Sequence, residues 1–157
     1  MLEALRAPSA RALRDRLEGL SPTRFNPFHL LFGDRSQAFV SWSDGTQVRH
    51  QVLTPGLHVI TERSLGGDDQ GRAQRIVDAW PSLEREAGVP TQGALQSLLA
   101  QRGVCVDLPD FNYGTRSSLV LSVAPKLSDS RWSWADGRPD QVPVVEHPEL
   151  ITSLSPR

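Results

Sequence analysis

The pattern of this sequence predicts an α+β protein with mostly antiparallel strands. Three observations carry that expectation. Apolar residues recur every three or four positions near the amino terminus, and again between residues 73 and 99. Between and after these stretches they alternate every second position. The resulting order is helix, strands, helices, strands, which suits segregated layers and not alternating βαβ units. A strand block with a helical layer on each side makes a sandwich of helices around packed sheets, a partial αββα arrangement.

The elements follow in order. The first is a helix with Pro8 in its first turn, Leu13, Leu17 and Leu20 on one stripe, and Gly19 as its stop. Residues Phe28 to Phe32 form a short apolar strand ended by Gly33-Asp34. Gln37 to Trp42 form a second, with Ala38, Val40 and Trp42 on one face. Asp44-Gly45 reads as a two-residue hairpin turn, because both positions tolerate positive φ. Val48, His50 and Val52 alternate on the return strand, and after Pro55-Gly56 a fourth strand runs from Leu57 to Thr61. Together these four suggest an antiparallel meander.

Gly66-Gly67-Asp68-Asp69 is a polar loop whose aspartates can cap the next helix. That helix carries Ala73, Ile76, Val77 and Trp80 as an amphipathic core stripe, and Pro81 ends or bends it. Thr91 caps a short helix bearing Leu95, Leu98 and Leu99. Val104 to Leu108 is a strand, and residues 109–114 form a loop. Ser118 to Ala124 is a strand that pairs with Arg131 to Ala135. A Pro-rich tail, 138–157, covers the surface or frays. The reading therefore places one domain over 1–137 and the tail over 138–157.

A chain of 157 residues suits one core, and 38% hydrophobic with 22% charged residues does not suggest disorder. No apolar run approaches the roughly 20 residues that span a bilayer. The start carries charge too early for a signal-peptide core, so a cytoplasmic location is the default expectation. A net charge of -1 gives no bulk attraction to nucleic acid. One cysteine, Cys105, excludes an internal disulfide and clustered-thiolate zinc.

Few constellations bear chemistry. His29, His50 and His58 either meet across adjacent strands, about 4.8 Å apart, or are unrelated strand histidines. Neither they nor His147 lie in an HExxH pattern. Cys105, between two valines, reads as a small core residue. Gly66-Gly67 has acids beside it and is no phosphate cradle. Ser117 and Ser118 lack a nucleophile elbow. Asp44, Glu62 and Asp68 are candidate acids or bases without an evident partner. The segment from Tyr113 to Ser118 says more, because a glycine, hydroxyls and one arginine meet where a loop enters an apolar strand. Thr115, Arg116 and Ser117 either form an anion site, or Arg116 pairs with an internal acid while the hydroxyls satisfy strand ends.

Three ordered stretches add a resemblance. They are Arg24-Phe25-Asn26-Pro27-Phe28-His29-Leu30-Leu31, then Leu53 to Ser64 with Pro55-Gly56-Leu57-His58, then Tyr113-Gly114-Thr115-Arg116-Ser117-Ser118. Their order resembles the NRDE family, also called the transport and Golgi organisation family, over about residues 1–137. The Trp80-Pro81 pair also sits where that family tends to carry one. The resemblance implies the αββα fold of N-terminal-nucleophile hydrolases. Some members are implicated in trafficking of haem or lipid-derived metabolites.

Two hallmarks of that family, a Met-Cys start and an Asn-Arg-Asp-Glu string, do not occur here. Leu2 is the penultimate residue. The N-terminal-nucleophile route needs a free α-amine beside a thiol or hydroxyl. Met1-Leu2 supplies neither, and Cys105 is mid-chain. The expectation is a carboxy-terminal part of such a protein, non-catalytic in this form. The alternative is a piece of an amidohydrolase whose catalytic front half lies elsewhere. Its expected partners are a small anionic metabolite or haem. A histidine, His29, His50 or His58, would ligate the iron, and Arg116 would hold a propionate. Asn26 joins the ligand-binding candidates through the resemblance. Self-association through a face left open by the missing half is also expected.

Overall fold

The computed structural model describes residues 4–61, 64, 65 and 71–154. The chain divides into two compact units, Met1–Gly67 and Asp68–Arg157. Among the described residues there are four α-helices, and every ladder between strands is antiparallel. The expected α+β class holds. No helix of the described residues is long and apolar enough to cross a membrane.

The first unit begins with helix α1 (Ala10–Glu18). Ser9 caps it, its Oγ accepting from the Ala12 N–H at 3.1 Å. Pro8 therefore lies before the cap and not in the first turn. Ala10 and Leu13 are buried, and Gly19 is the C-cap as expected. Strands β1 (Phe28–Gly33), β2 (Ala38–Ser43) and β3 (Val48–Leu53) form a sheet in the order β1-β2-β3. Helix α1 packs on β2 and β3.

Two four-residue loops of one design set the register of this sheet. In Asp34-Arg35-Ser36-Gln37, the Asp34 carboxylate accepts from the Ser36 N–H, the Ser36 hydroxyl and the Gln37 N–H at 2.6–3.1 Å. In Asp44-Gly45-Thr46-Gln47, Asp44 does the same with Thr46 and Gln47 at 2.6–3.0 Å. The carboxylate replaces a backbone turn bond. The Asp44-Gly45 hairpin is thus where expected, but four residues long. Asp34 also accepts the Ala10 N–H at 2.8 Å, so the first loop anchors the start of α1.

Directly opposed residues in such a ladder share a face. Leu30, Ser41 and His50 form one row, and Phe32, Phe39 and Val52 the next on the same face. Phe32 and Phe39 stack at 5.6 Å between centroids. The central strand holds the core, with Phe39, Val40, Ser41 and Ser43 all buried. The expected fourth strand of the meander shrinks to β4 (Ile60–Thr61), which pairs only with β5 (Ser64–Leu65). The cause is local. Pro55 and Gly56, at φ +142°, bend the chain, and the His58 Nε2–H donates to the Thr54 carbonyl at 2.7 Å. A side chain so turned back leaves no ladder.

The second unit opens with helix α2 (Arg72–Ala79), whose N-cap is Gly71 without a side-chain cap. Asp68 and Asp69, expected to cap it, lie outside the described residues, as does Glu62. The expected core stripe is only half-buried, and Val77 is exposed. Trp80-Pro81 turns the chain out of α2 in a 3-10 turn, as expected of that proline. Strands β6 (Arg85–Glu86) and β7 (Val89–Pro90) make a small hairpin. Helix α3 (Gln92–Ala100) starts at the expected cap, Thr91, whose Oγ1 accepts from the Ala94 N–H at 3.2 Å.

The strand expected over Val104 to Leu108 is shorter. Only β8 (Asp107–Leu108) pairs, with β9 (Tyr113–Gly114). Val104 and Cys105 both donate their N–H to the Gln101 carbonyl, at 2.9 and 2.8 Å, so they fold into a turn. Strands β10 (Ser118–Ser122) and β11 (Arg131–Ala135) pair as expected. The tail does not simply cover the surface. It adds β12 (Val145–Glu146) to β11, then helix α4 (Pro148–Leu154), whose Ile151 is buried. It is fastened by Arg138, which bridges Asp107 and Asp140.

This second sheet is two-faced. Ser118, Val120, Ser133 and Ala135 are buried on one side. Leu119, Leu121, Trp132, Trp134 and Val145 share the other. There Leu119, Leu121 and Val145 are 40%, 46% and 55% exposed.

Candidate functional site

The sequence-derived site residues fall in different places. Asn26, His29 and His58 belong to the first unit, and Thr115, Arg116 and Ser117 to the second. Thr115 is a fastener. Its Oγ1 accepts the Val106 N–H at 3.0 Å, and its own N–H donates to the Val106 carbonyl at 2.9 Å. Arg116 is exposed and donates to the Asn112 carbonyl at 3.1 Å, across a turn in which Asn112 is left-handed at φ +46°. Its partners are the backbone and side-chain oxygens of Asn112 and not the internal acid considered above. Ser117 is half-buried beside it.

The three histidines do not converge. His29 shares a face with Trp42 and Arg49, whereas His50 shares the opposite face with Leu30 and Ser41, and β2 lies between their strands. His58 spends its Nε2–H on Thr54. His147 pairs with Glu149 at 2.8 Å. Among the described residues no group of three His, Cys, Asp or Glu side chains could hold a metal ion. Asn26 is exposed in the segment that leads into β1.

The candidate nucleophile and acids are also accounted for. Cys105 is buried, and its Sγ–H donates to Asp140 at 3.4 Å. Burial first, and then the Asp140 carboxylate, push this thiol up, which keeps it protonated and unreactive. Asp44 is held well below the usual carboxylate range by the Thr46 hydroxyl and backbone, so it is a poor proton donor or acceptor at neutral pH.

A different arrangement has the geometry of a site. A cleft of about 270 Å³ lies in the first unit between α1 and the sheet. Arg11, Arg14 and Asp15 line it from the helix, where spacings of three and four put them on one face. Gln37 lines it from the loop before β2, Phe39 from β2, and His50, Gln51 and Val52 from β3. Arg14 is committed to Asp15 at 3.1 Å and to Glu18 at 3.0 Å. Arg11 is exposed and has no ion pair among the described residues.

His50 is the central group. Its Nδ1 lies 2.8 Å from Ser41 Oγ on the neighbouring strand. Its Nε2 is buried and has no hydrogen-bond partner among the described residues. Burial, helped by the positive charge of Arg14 and opposed by Glu18, lowers its pKa below the ordinary histidine range. Ser41 is completely buried, so no scissile carbonyl can reach its oxygen, and the pair is not a hydrolytic dyad. What the cleft offers is one uncommitted cation, Arg11, over an apolar wall of Phe39 and Val52.

The sequence held part of this signal. His50 alternates with Val48 and Val52, so a titratable ring sits on the apolar face of its strand. Arg11 and Arg14 depend on the rotational phase of α1 over that sheet, which no local pattern contains.

Comparison of the chain with protein-family models, with curated proteins and with solved structures finds no match in any of the three.

Proposed function

We propose that this chain is a non-catalytic, NRDE-like protein that binds a small anionic metabolite in the cleft between α1 and the first sheet. The observation that carries the reading is Arg11, an exposed guanidinium without an acid partner among the described residues, on the wall of this cleft. The helix-on-sheet layering of the first unit is in keeping with one half of an αββα sandwich. The buried, protonated Cys105 supports a non-catalytic reading.

Haem does not fit this cleft. Of the three histidines only His50 lines it, and with Nδ1 on Ser41 and Nε2 buried neither ring nitrogen is open to iron. The cleft, at about 270 Å³, is below the usual range for large ligands. The proposal also includes self-association of two copies through the face of Leu119, Leu121 and Val145. An identical apolar patch on each copy is self-complementary about a two-fold axis.

Calorimetric titration of the purified protein with a panel of small carboxylates and phosphates tests the binding reading. At least one should bind, and Arg11→Ala should weaken it about tenfold, the loss of one charge-assisted hydrogen bond. A panel without binders, or equal binding by Arg11→Ala, contradicts it.

A further inference from the structure

The second sheet has an open edge. β10 pairs with β11 on one side, and among the described residues no strand pairs with its other side. The ladder geometry says which groups face that edge. The His147 N–H donates to the Trp132 carbonyl at 2.7 Å, so the backbone of Trp132 faces β12. In an antiparallel ladder both backbone groups of a residue face the same neighbour, and the direction alternates along the strand. Trp132 and Trp134 oppose Leu121 and Leu119, so these are the non-hydrogen-bonded pairs. The N–H and C=O groups of Leu119 and Leu121 therefore point outward from the sheet.

An edge of this kind is a template for another strand, and natural edges are blunted by lysine, proline or a bulge. β10 has none of these within it. Ser118-Leu119-Val120-Leu121-Ser122 is uncharged, and its register with β11 is unbroken. The blunting groups stand outside. The Thr115 N–H already donates to the Val106 carbonyl, and Pro125 has no N–H. These two ends lie equally far from Val120. Leu119, Leu121 and Val123 run exposed beside the open backbone. A strand that fits must be extended, uncharged and apolar at every second residue on the same face. β10 of a second copy meets each condition.

We propose that two copies of this chain join edge to edge through β10, antiparallel about a two-fold axis at Val120, into one continuous sheet. The proposal rests on the self-association put forward above and adds how the copies meet, side by side and not face to face. Charge selects the register. Placing Leu121 opposite Leu121 of the second copy would set Arg116 against Lys126 at both ends, like charges across a ladder. Placing Leu119 opposite itself would leave Leu121 against Ser117. Centring on Val120 sets Leu119 against Leu121 of the second copy, and Arg116 against the neutral Ala124. The outward groups of Leu119 and Leu121 then exchange N–H···O=C bonds across the axis, and their side chains form one cluster. The contact uses up this edge in both copies, so it closes as a dimer.

The test is amide hydrogen exchange of the wild-type chain by NMR at low and high concentration, beside the mass from light scattering. The mass should rise to that of two copies. The amides of Leu119 and Leu121 should exchange about tenfold more slowly once about nine-tenths of the chain is paired. The amides of Val120 and Ser122, already in the β10–β11 ladder, are the reference. The register is read by mixing copies that carry Leu119→Cys with copies that carry Leu121→Cys. Directly opposed residues are within disulfide reach and diagonal ones are not, so oxidation should join one variant to the other faster than either to itself. A doubled mass with unslowed Leu119 and Leu121 amides overturns the edge contact and leaves association through the apolar face standing. Leu121→Cys joining fastest to itself overturns the register. A chain that stays monomeric at every concentration removes the edge contact and the self-association together.

Discussion

Ser41 on β2 and His50 on β3 are directly opposed, and the serine oxygen lies 2.8 Å from the histidine Nδ1. The serine is wholly buried, so this contact fixes the ring from inside the sheet and aims its other nitrogen away. Replacing Ser41 by Ala leaves Nδ1 without its partner. The expected cost is about 1 kcal/mol of stability, read from urea unfolding. An unchanged urea midpoint would mean that the contact adds nothing.

Asp34 and Asp44 close twin loops, but only Asp34 also holds the first N–H of α1. Asp34→Ala should therefore lower the melting temperature more than Asp44→Ala. Both carboxylates are held well below the usual range, each first by the neighbouring hydroxyl, Ser36 or Thr46. Their folded pKa is lower than the unfolded one, so their contribution is present above the unfolded value of about 3.9 and is lost as pH falls through the folded value. Thermal melts should thus weaken on acidification below about pH 4. In the double Asp→Asn variant that acid dependence should flatten, and an unaltered acid profile would refute the role given to the loops.

Cys105 is buried, with burial and Asp140 both raising its pKa, and Arg138 holds Asp140 itself at about 2. Thiol labelling of the native protein at neutral pH should be slow and should speed up in parallel with unfolding in denaturant. Fast labelling without denaturant would show a reactive thiol and reopen the catalytic reading.

The exposed row of Leu119, Leu121 and Val145 predicts concentration-dependent association. Light scattering should give an apparent mass that rises with concentration in the wild type. Leu121→Asp should suppress the rise, because a charge in the centre of an apolar contact stays unpaired. A wild-type mass that stays monomeric at high concentration would exclude this contact.

Much of the first sheet was legible because its cause is local. The alternation of Ala38, Val40 and Trp42, the alternation of Val48, His50 and Val52, and the Asp-Gly turn all act within a few residues. Thr91 was legible as a cap for the same reason. The Asp34 loop was legible only as the end of a strand at Gly33-Asp34, because it uses the chemistry of the Asp44 loop without a glycine after the aspartate. The fourth strand failed because His58 binds backwards to Thr54. The tail looked loose because of its prolines, yet Arg138 and Ile151 fasten it through partners distant in sequence. The motif around Arg116 advertised an anion site, but Thr115 is taken by Val106, and Arg116 by Asn112. The cleft needed both the strand register and the phase of α1, so only its histidine stood out.

The most direct measurement is an amide and imidazole NMR titration of the full chain with benzoate. The account predicts shifts concentrated at Arg11, Gln37, His50 and Gln51, with residues 115–117 still. Shifts centred on Thr115, Arg116 and Ser117, or none in either region, would contradict it.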